Sequence, residues 1–340
     1  MGKPIVVVGS VNLDLVCTGK RIPGVSETVR GEHFQTFFGG KGANQAVAVA
    51  RLGYPVSMIA KVGDDEFGNQ LRKGLRAADV NVRHVGTAKG TASGVALISV
   101  DGKGQNSIMV IPGANGQLLP KDIERALPLV RSAGMVLTQL EIPLETVECL
   151  CEITHQHKIP LMLDPAPALP LPRKLLRRVS FLTPNETEIC TLCGVSPSKL
   201  NLSTISECTK ELKSKGAANV IVKLGARGAY IDSAEGPRKM VPSFKVAVVD
   251  STAAGDAFNA GLAAALLRNM SLPEAVRYGA AVGAVSVTRA GAQPAMPTAA
   301  EVEHLLRINH PKANGSGRNR SQAGDLPARR EWGAEVLVQT

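Results

Sequence analysis

The sequence predicts an α/β protein, a doubly wound and mostly parallel sheet with a small β-sheet lid. Three observations carry this expectation. Short β-branched runs alternate with helical patterns along most of the chain, and the runs are apolar throughout, as strands covered on both faces are. A polar residue, Asp14, Glu141, Asp164, Asn185 or Asp250, follows closely on five of these runs, at the strand end where open α/β sheets bind ligands. Two segments, 15–38 and 93–111, break the alternation and read as strands with no helix between them.

In chain order, IVVVG at 5–9 opens the sheet. GANQAVAVARLG at 42–53 is a helix stopped by Gly53, and VSMIAKVG at 56–63 precedes a helix from about 66 to 78. GMVLTQLE (134–141), PLMLDP (160–165), VSFLTPN (179–185), NVIVKLG (219–225) and FKVAVVD (244–250) are the later strands, most of them followed by helices. The 93–111 segment is expected to be a hairpin turning near Asp101-Gly102, and with 15–38 it forms the lid. Residues 1–305 make one domain. From 306 the pattern dissolves into Gly, Asn, Arg and Pro, so 306–340 is expected to be a disordered basic tail.

Composition narrows the function. The 340 residues carry a net charge of +10, but the basic residues are scattered and only 3% of residues are aromatic, which disfavours nucleic acid and suits small anionic ligands. No run reaches the length of a membrane span, and MGKPIVVVGS leads straight into a strand rather than a signal peptide, so a soluble cytoplasmic protein is expected. The six cysteines are expected to be reduced thiols. Cys149 and Cys151 with His155 and His157, or Cys190 with Cys193, lack the second pair that a zinc site needs.

Two stretches carry chemistry. FFGGKGANQAVAVARLG (37–53) opens a helix on Gly39, Gly40 and Gly42, where backbone can approach a ligand and Asn44 offers both a donor and an acceptor. DSTAAGDAFNAG (250–261) places a carboxylate, Asp256, behind Ala253, Ala254 and Gly255 at a helix start. Free N–H groups there attract an anion, which an acid would repel. The conflict disappears if Asp256 takes the proton of a nucleophile that attacks the anion. No P-loop, no dinucleotide fingerprint and no protein-kinase signature occurs in the chain.

Together these stretches resemble the paired signatures of the ribokinase (PfkB) family of sugar kinases. PGANG (112–116), LE (140–141), DPAPA (164–168), TPNETE (183–188) and KLGARG (223–228) stand in the family's order, and the resemblance covers residues 4–300. It implies a kinase domain that phosphorylates D-ribose at the expense of ATP, with a lid that also forms a homodimer. By the same resemblance Asn12, Asp14, Gly40, Lys41, Gly42, Ala43, Asn44 and Glu141 bind the sugar, and Asp256 is the base. Asn185, Lys223, Leu224, Gly225, Ala226, Arg227, Gly228, Gly255 and Ala280 fall on the ATP side. Ala253, Ala254, Gly255 and Asp256 form an anion hole. Asn185 and Glu188 match an element linked with magnesium, and Asp250, Thr252, Ser286, Arg289, Gly291 and Ala295 match a monovalent-cation site for potassium. Position 253 is Ala where much of the family has Gly, and position 280 is Ala where some relatives carry a polar residue. Deoxyribose, fructose or a phosphorylated ketohexose remain alternative substrates. A catalytically silent sugar-binding regulator remains an alternative of another class, although such a protein has no need of Asp256.

Overall fold

The computed structural model describes residues 2–234 and 236–309. The chain opens on β1 (Ile5–Val8), whose side chains alternate between two cores: Ile5 and Val7 face one, Val6 and Val8 the other. This is the period of a strand buried on both faces. β2 (Asn12–Thr18) leaves within four residues and pairs with β3 (His33–Gly39) away from the main sheet. α1 (Lys41–Arg51) ends before Gly53, whose φ of 71° reverses the chain. β4 (Val56–Gly63), α2 (Glu66–Ala77) and β5 (Asn81–Ala88) return to the large sheet, and β6 (Gly94–Val100) and β7 (Asn106–Ile111) complete the small one.

The second half alternates helix and strand. α3 (Pro120–Arg125) and α4 (Leu127–Ser132) lead to β8 (Met135–Thr138), α5 (Leu144–Gln156) to β9 (Leu161–Leu163), and α6 (Arg173–Leu176) to β10 (Phe181–Leu182). α7 (Glu186–Cys193) and α8 (Leu202–Ser214) precede β11 (Asn219–Lys223), which is followed by β12 (Ala229–Asp232) and β13 (Lys239–Val241). α9 (Ala254–Leu267), α10 (Leu272–Ser286) and α11 (Ala299–Ile308) close the described chain.

The nine-stranded sheet runs β13-β12-β11-β10-β9-β8-β1-β4-β5, parallel except for β12 and β13. Strand order reverses at β1, so the crevice past its carboxyl end is where a ligand is expected. The four-stranded sheet runs β3-β2-β6-β7 and is parallel only between β2 and β6. α1, α2, α9, α10 and α11 cover one face of the large sheet, and α3 to α8 cover the other. α9 and α10 lie close because Gly261 and Gly279 face each other: a Cβ on Gly261 would lie 3.0 Å from the Gly279 Cα.

Two expectations are corrected, and two features are added. Residues 244–250 are not a strand: the Val249 and Asp250 N–H groups donate to the Val287 carbonyl at 2.8 and 3.2 Å, which ties the segment to the end of α10 instead of a sheet edge. Asp14 lies inside β2 rather than after β1. The run after β11 turns back at Gly225 and Gly228, both with positive φ, into the antiparallel β12 and β13. The last helical pattern continues to Ile308 rather than fading at 306, and the expected tail otherwise lies outside the described residues.

Candidate active site

The start of α9 is built without a side-chain cap. Ala253 holds a left-handed conformation (φ 59°), and the Ala254 N–H donates to the Ser251 carbonyl at 3.2 Å, with the half-buried Gly255 and the buried Asp256 following in the first turn of the helix. A Cβ on Gly255 would lie 3.3 Å from Lys223 Nζ, so the ammonium of Lys223 stands beside this turn.

Asp256 itself is buried, 5% exposed, and both of its oxygens are held by amides. Asn44 Nδ2 donates to Oδ2 at 3.1 Å and Gln45 Nε2 to Oδ1 at 3.0 Å, so the glycine motif and the Asp256 motif meet here across 212 residues of sequence. Burial pushes the Asp256 carboxyl up to about 6, against the pull of Lys41 and the two amides. The Asn44 Oδ1 is buried without a partner, a free acceptor beside the Asp256 carboxylate.

The expected sugar residues converge on the same crevice. Glu141, after β8, accepts the Ser10 hydroxyl and the Lys41 N–H (3.1 Å), which seats it at the start of α1. Asn12 is buried, its Oδ1 receiving Asn115 Nδ2 at 2.7 Å. Asp14 lies over Gly39, where a Cβ would meet its Oδ2 at 2.2 Å. Burial, with Glu141 nearby, raises its carboxyl to about 7. Burial disfavours the charge of Lys41, yet Asp256, Asp164, Glu141 and Glu188 together hold its ammonium above the usual range.

The expected nucleotide residues lie along the carboxyl ends of β10 and β11. Asn185 and Glu188 cap α7 reciprocally: the Glu188 N–H donates to Asn185 Oδ1 at 2.8 Å, and the Asn185 N–H donates to Glu188 Oε2 at 2.7 Å. Asn185 also bridges backbone to Lys223, whose Nζ pairs with Asp164 at 2.8 Å. Gly225, Ala226, Arg227 and Gly228 form the turn beyond, and Arg227 reaches Glu186. Ala280 is on α10, buried.

A buried carboxylate behind an open helix start, with the Lys223 ammonium beside the turn, is an arrangement compatible with phosphoryl transfer. The family model for pfkB carbohydrate kinases matches residues 3–299. The chain belongs to the pfkB family of carbohydrate kinases. It is similar to the ribokinase of Schizosaccharomyces pombe, 39% identical over 311 residues that cover 89% of this chain and 98% of that one. The Bacillus subtilis ribokinase is 42% identical over 302 residues, with 89% and 99% covered. Among solved structures, Arabidopsis thaliana ribokinase complexed with ribose and ATP superposes with a TM-score of 0.84 at 33% identity, covering 90% of this chain and 99% of that one.

Within this pfkB-family fold the loop before α9 is drawn against the end of α10. Asp250 accepts from the Thr252 N–H (2.9 Å), the Thr252 hydroxyl (2.6 Å) and the Gly291 N–H (2.8 Å). Burial opposes its ionisation, but these bonds outweigh it and keep the carboxyl below its ordinary range. It forms no ion pair among the described residues. Arg289 instead pairs with Glu301 at 2.9 Å, and the Ser286 hydroxyl donates to the Gly283 carbonyl at 2.8 Å. Ala295 is buried nearby in sequence.

Two residues expected to bind ligands have their side chains in the cores. The Ala43 side chain is in the core and its N–H donates to the Ser10 carbonyl at 2.9 Å, and Leu224 is in the opposite core. Sequence reasoning gave no role to Ser10, Gln45, Asn115 or Gln139. Asp164 was signalled by its place after a strand, and Gln45 by its neighbour Asn44. The cysteines are free thiols, and no three metal-ligating side chains cluster among the described residues.

Proposed function

We propose that this chain transfers the terminal phosphoryl group of ATP to D-ribose, giving D-ribose 5-phosphate. The observation that carries the proposal is Asp256, a buried carboxylate at the open start of α9, held by Asn44 of the sugar-side motif. Asn12, Asp14, Asn44 and Glu141 bind the sugar hydroxyls. Asp256 receives the proton of the attacking hydroxyl as its oxygen bonds to phosphorus and the bond to the ADP oxygen breaks. The N–H groups of the 253–256 turn, with Lys41, hold the charge on the transferring group. Lys223 and the 224–228 turn, Asn185 and Ala280 line the nucleotide side.

Magnesium fits here as an ion carried mainly by phosphates and water. Glu188 offers an oxygen not used in its helix cap, and the described residues include no all-protein cage. When bound, magnesium neutralises phosphate charge. Potassium fits the Asp250 loop, where an ionised carboxylate without a cationic partner among the described residues lies against Gly291. With carbonyls of Thr252, Arg289, Gly291 and Ala295 and the Ser286 oxygen, these are hard ligands for a monovalent ion that fixes the turn. The face of the small sheet opposite Asp14 exposes Phe34, Leu97 and Met109, an apolar surface suited to a homodimer of lids in the cytoplasm.

ADP release with D-ribose, 2-deoxy-D-ribose, D-fructose and fructose 6-phosphate tests the substrate. Ribose is expected to give the highest kcat/KM; a higher value for another sugar reassigns the specificity, and no release with any sugar points to a silent binding protein. Rates in potassium against Tris buffer at constant ionic strength test the cation, and equal rates remove it.

A further inference from the structure

The base is wired to the nucleotide side through one uncharged residue. Gln45, on the first turns of α1 and 1% exposed, has two N–H protons on Nε2 and uses both on carboxylates: Asp256 Oδ1 at 3.0 Å and Asp164 Oδ2 at 3.2 Å. Its Oε1 accepts Gln139 Nε2 at 2.7 Å, from the loop after β8. The two carboxylates fix the amide orientation, since ionised they only accept: the nitrogen of Gln45 must face the acids, which turns its oxygen to Gln139. Asp164 is held on its other oxygen by Lys223 Nζ at 2.8 Å, and Lys223 ends β11 where the 224–228 turn begins.

We propose that Gln45, anchored by Gln139, is a positioning residue that holds the Asp256 carboxylate ionised and aimed, and joins it to the Asp164–Lys223 ion pair. The inference deepens the proposed function and rests on Asp256 being its base. An amide is the neutral side chain that can donate to two carboxylates at once. A glutamate at this position would add a third negative charge, and a leucine would leave two buried carboxylates short of a donor. With Asn44 on Oδ2 and Gln45 on Oδ1, the carboxylate of Asp256 cannot rotate without breaking one of the bonds, so its remaining lone pairs keep a fixed direction toward the incoming proton.

The charged groups that bear on Asp256 are Lys41 on α1 and Asp164 after β9. Lys41 in turn faces Glu141 after β8 and Glu188 on α7, and Lys223 stands beside Gly255. Burial already drives Asp256 toward its protonated form, and the Gln45 bond opposes that drive. Without the bond the base therefore ionises at higher pH.

The test uses Gln45→Leu and, because that change sits in the core of the site, Gln139→Leu, which leaves Gln45 in place without its anchor. Two measurements are made on each full-length protein. One is the carboxyl titration of Asp256 by 13Cγ-aspartate NMR, assigned with Asp256→Asn. The other is the pH profile of kcat with ribose and ATP. In Gln45→Leu the NMR midpoint and the acid limb of kcat are expected to move up together by about one pH unit, the equivalent of a lost hydrogen bond to a charged group. In Gln139→Leu both move in the same direction by less. Unmoved midpoints in a folded Gln45→Leu, or in a folded Gln139→Leu where Gln45→Leu does not fold, overturn the inference. If the NMR midpoint moves but no sugar is turned over by the unmutated protein, the link from Gln45 to Asp256 stands and the kinase reading falls.

Discussion

Two helices of this chain begin on runs of the smallest residues, and in the sequence the runs look alike: Gly39-Gly40-Lys41-Gly42 before α1, and Ala253-Ala254-Gly255 before α9. In the fold they do opposite things. At the first, smallness serves the chain's contact with itself. A Cβ on Gly42 would lie 2.7 Å from the Gly9 carbonyl carbon and the Ser10 nitrogen, and one on Gly40 2.8 Å from the Asn12 nitrogen. At the second, the nearest atom to a Cβ on Gly255 is the far end of Lys223, and all three residues are partly exposed. Small residues at a helix start thus mark either a packing joint or an open helix head, and only their surroundings separate the two.

Substitutions at the two starts break or sharpen that contrast. Asp256→Asn is expected to lower kcat by about a thousandfold or more while ribose still binds, since the amide keeps the shape and loses the basicity. Stopped-flow phosphoryl transfer with calorimetry checks this, and a tenth of normal kcat would end the role of Asp256 as base. In the unmutated enzyme turnover should fall as pH drops through about 6, where Asp256 takes up a proton.

Gly42→Ala, at the packing joint, should cost about 1–3 kcal/mol of folding stability, because the colliding atoms are backbone and cannot swing away. Chemical denaturation reads it directly, and a stable, inactive Gly42→Ala would instead move this glycine into the ligand site.

Asp14→Asn should weaken ribose binding by about 1–3 kcal/mol and yet raise the thermal midpoint above neutral pH. The sign follows from its shift. The folded carboxyl titrates near 7 and its ordinary value is 3.8, so its burden on stability is absent below about 4, grows as pH rises to 7 and is constant beyond. Melting curves at pH 4 and pH 8 should show no gain and a gain respectively. The smallest effect belongs to Ala253→Gly: glycine relieves the left-handed conformation, so stability should change by about 1 kcal/mol or less in either direction, with activity retained.

How far the sequence reaches depends on how local the cause is. β1 is legible because IVVV must be covered on both sides, and the starts of α1 and α9 because their motifs are contiguous. The apolar run 244–250 misleads because its strand-like pattern ends up bonded to Val287, a partner no periodicity reveals. β12 and β13 are short and follow a glycine turn where a helix fits the rhythm. In the site, Asp256, Asn44 and Glu141 stand out by chemistry. The amide wiring does not, because Gln45 meets Gln139 and Asp256 from 94 and 211 residues away.

The small sheet gives one consequence of a different kind. Asn12 and Asp14 ride on β2, while Asp256 is fixed to α9 on the large body. Short paths between the two carriers run from Val8 to Asn12, clamped by Asn115 on the Val11 N–H at 2.9 Å and on Asn12, and across Gly40 from β3 to α1. A sugar held at both ends would therefore act as a rivet between two plates joined at those roots. Its tightness of binding and the angle of the plates become a single quantity, so loosening the Asn115 clamp should be felt by the sugar before it is felt by the nucleotide.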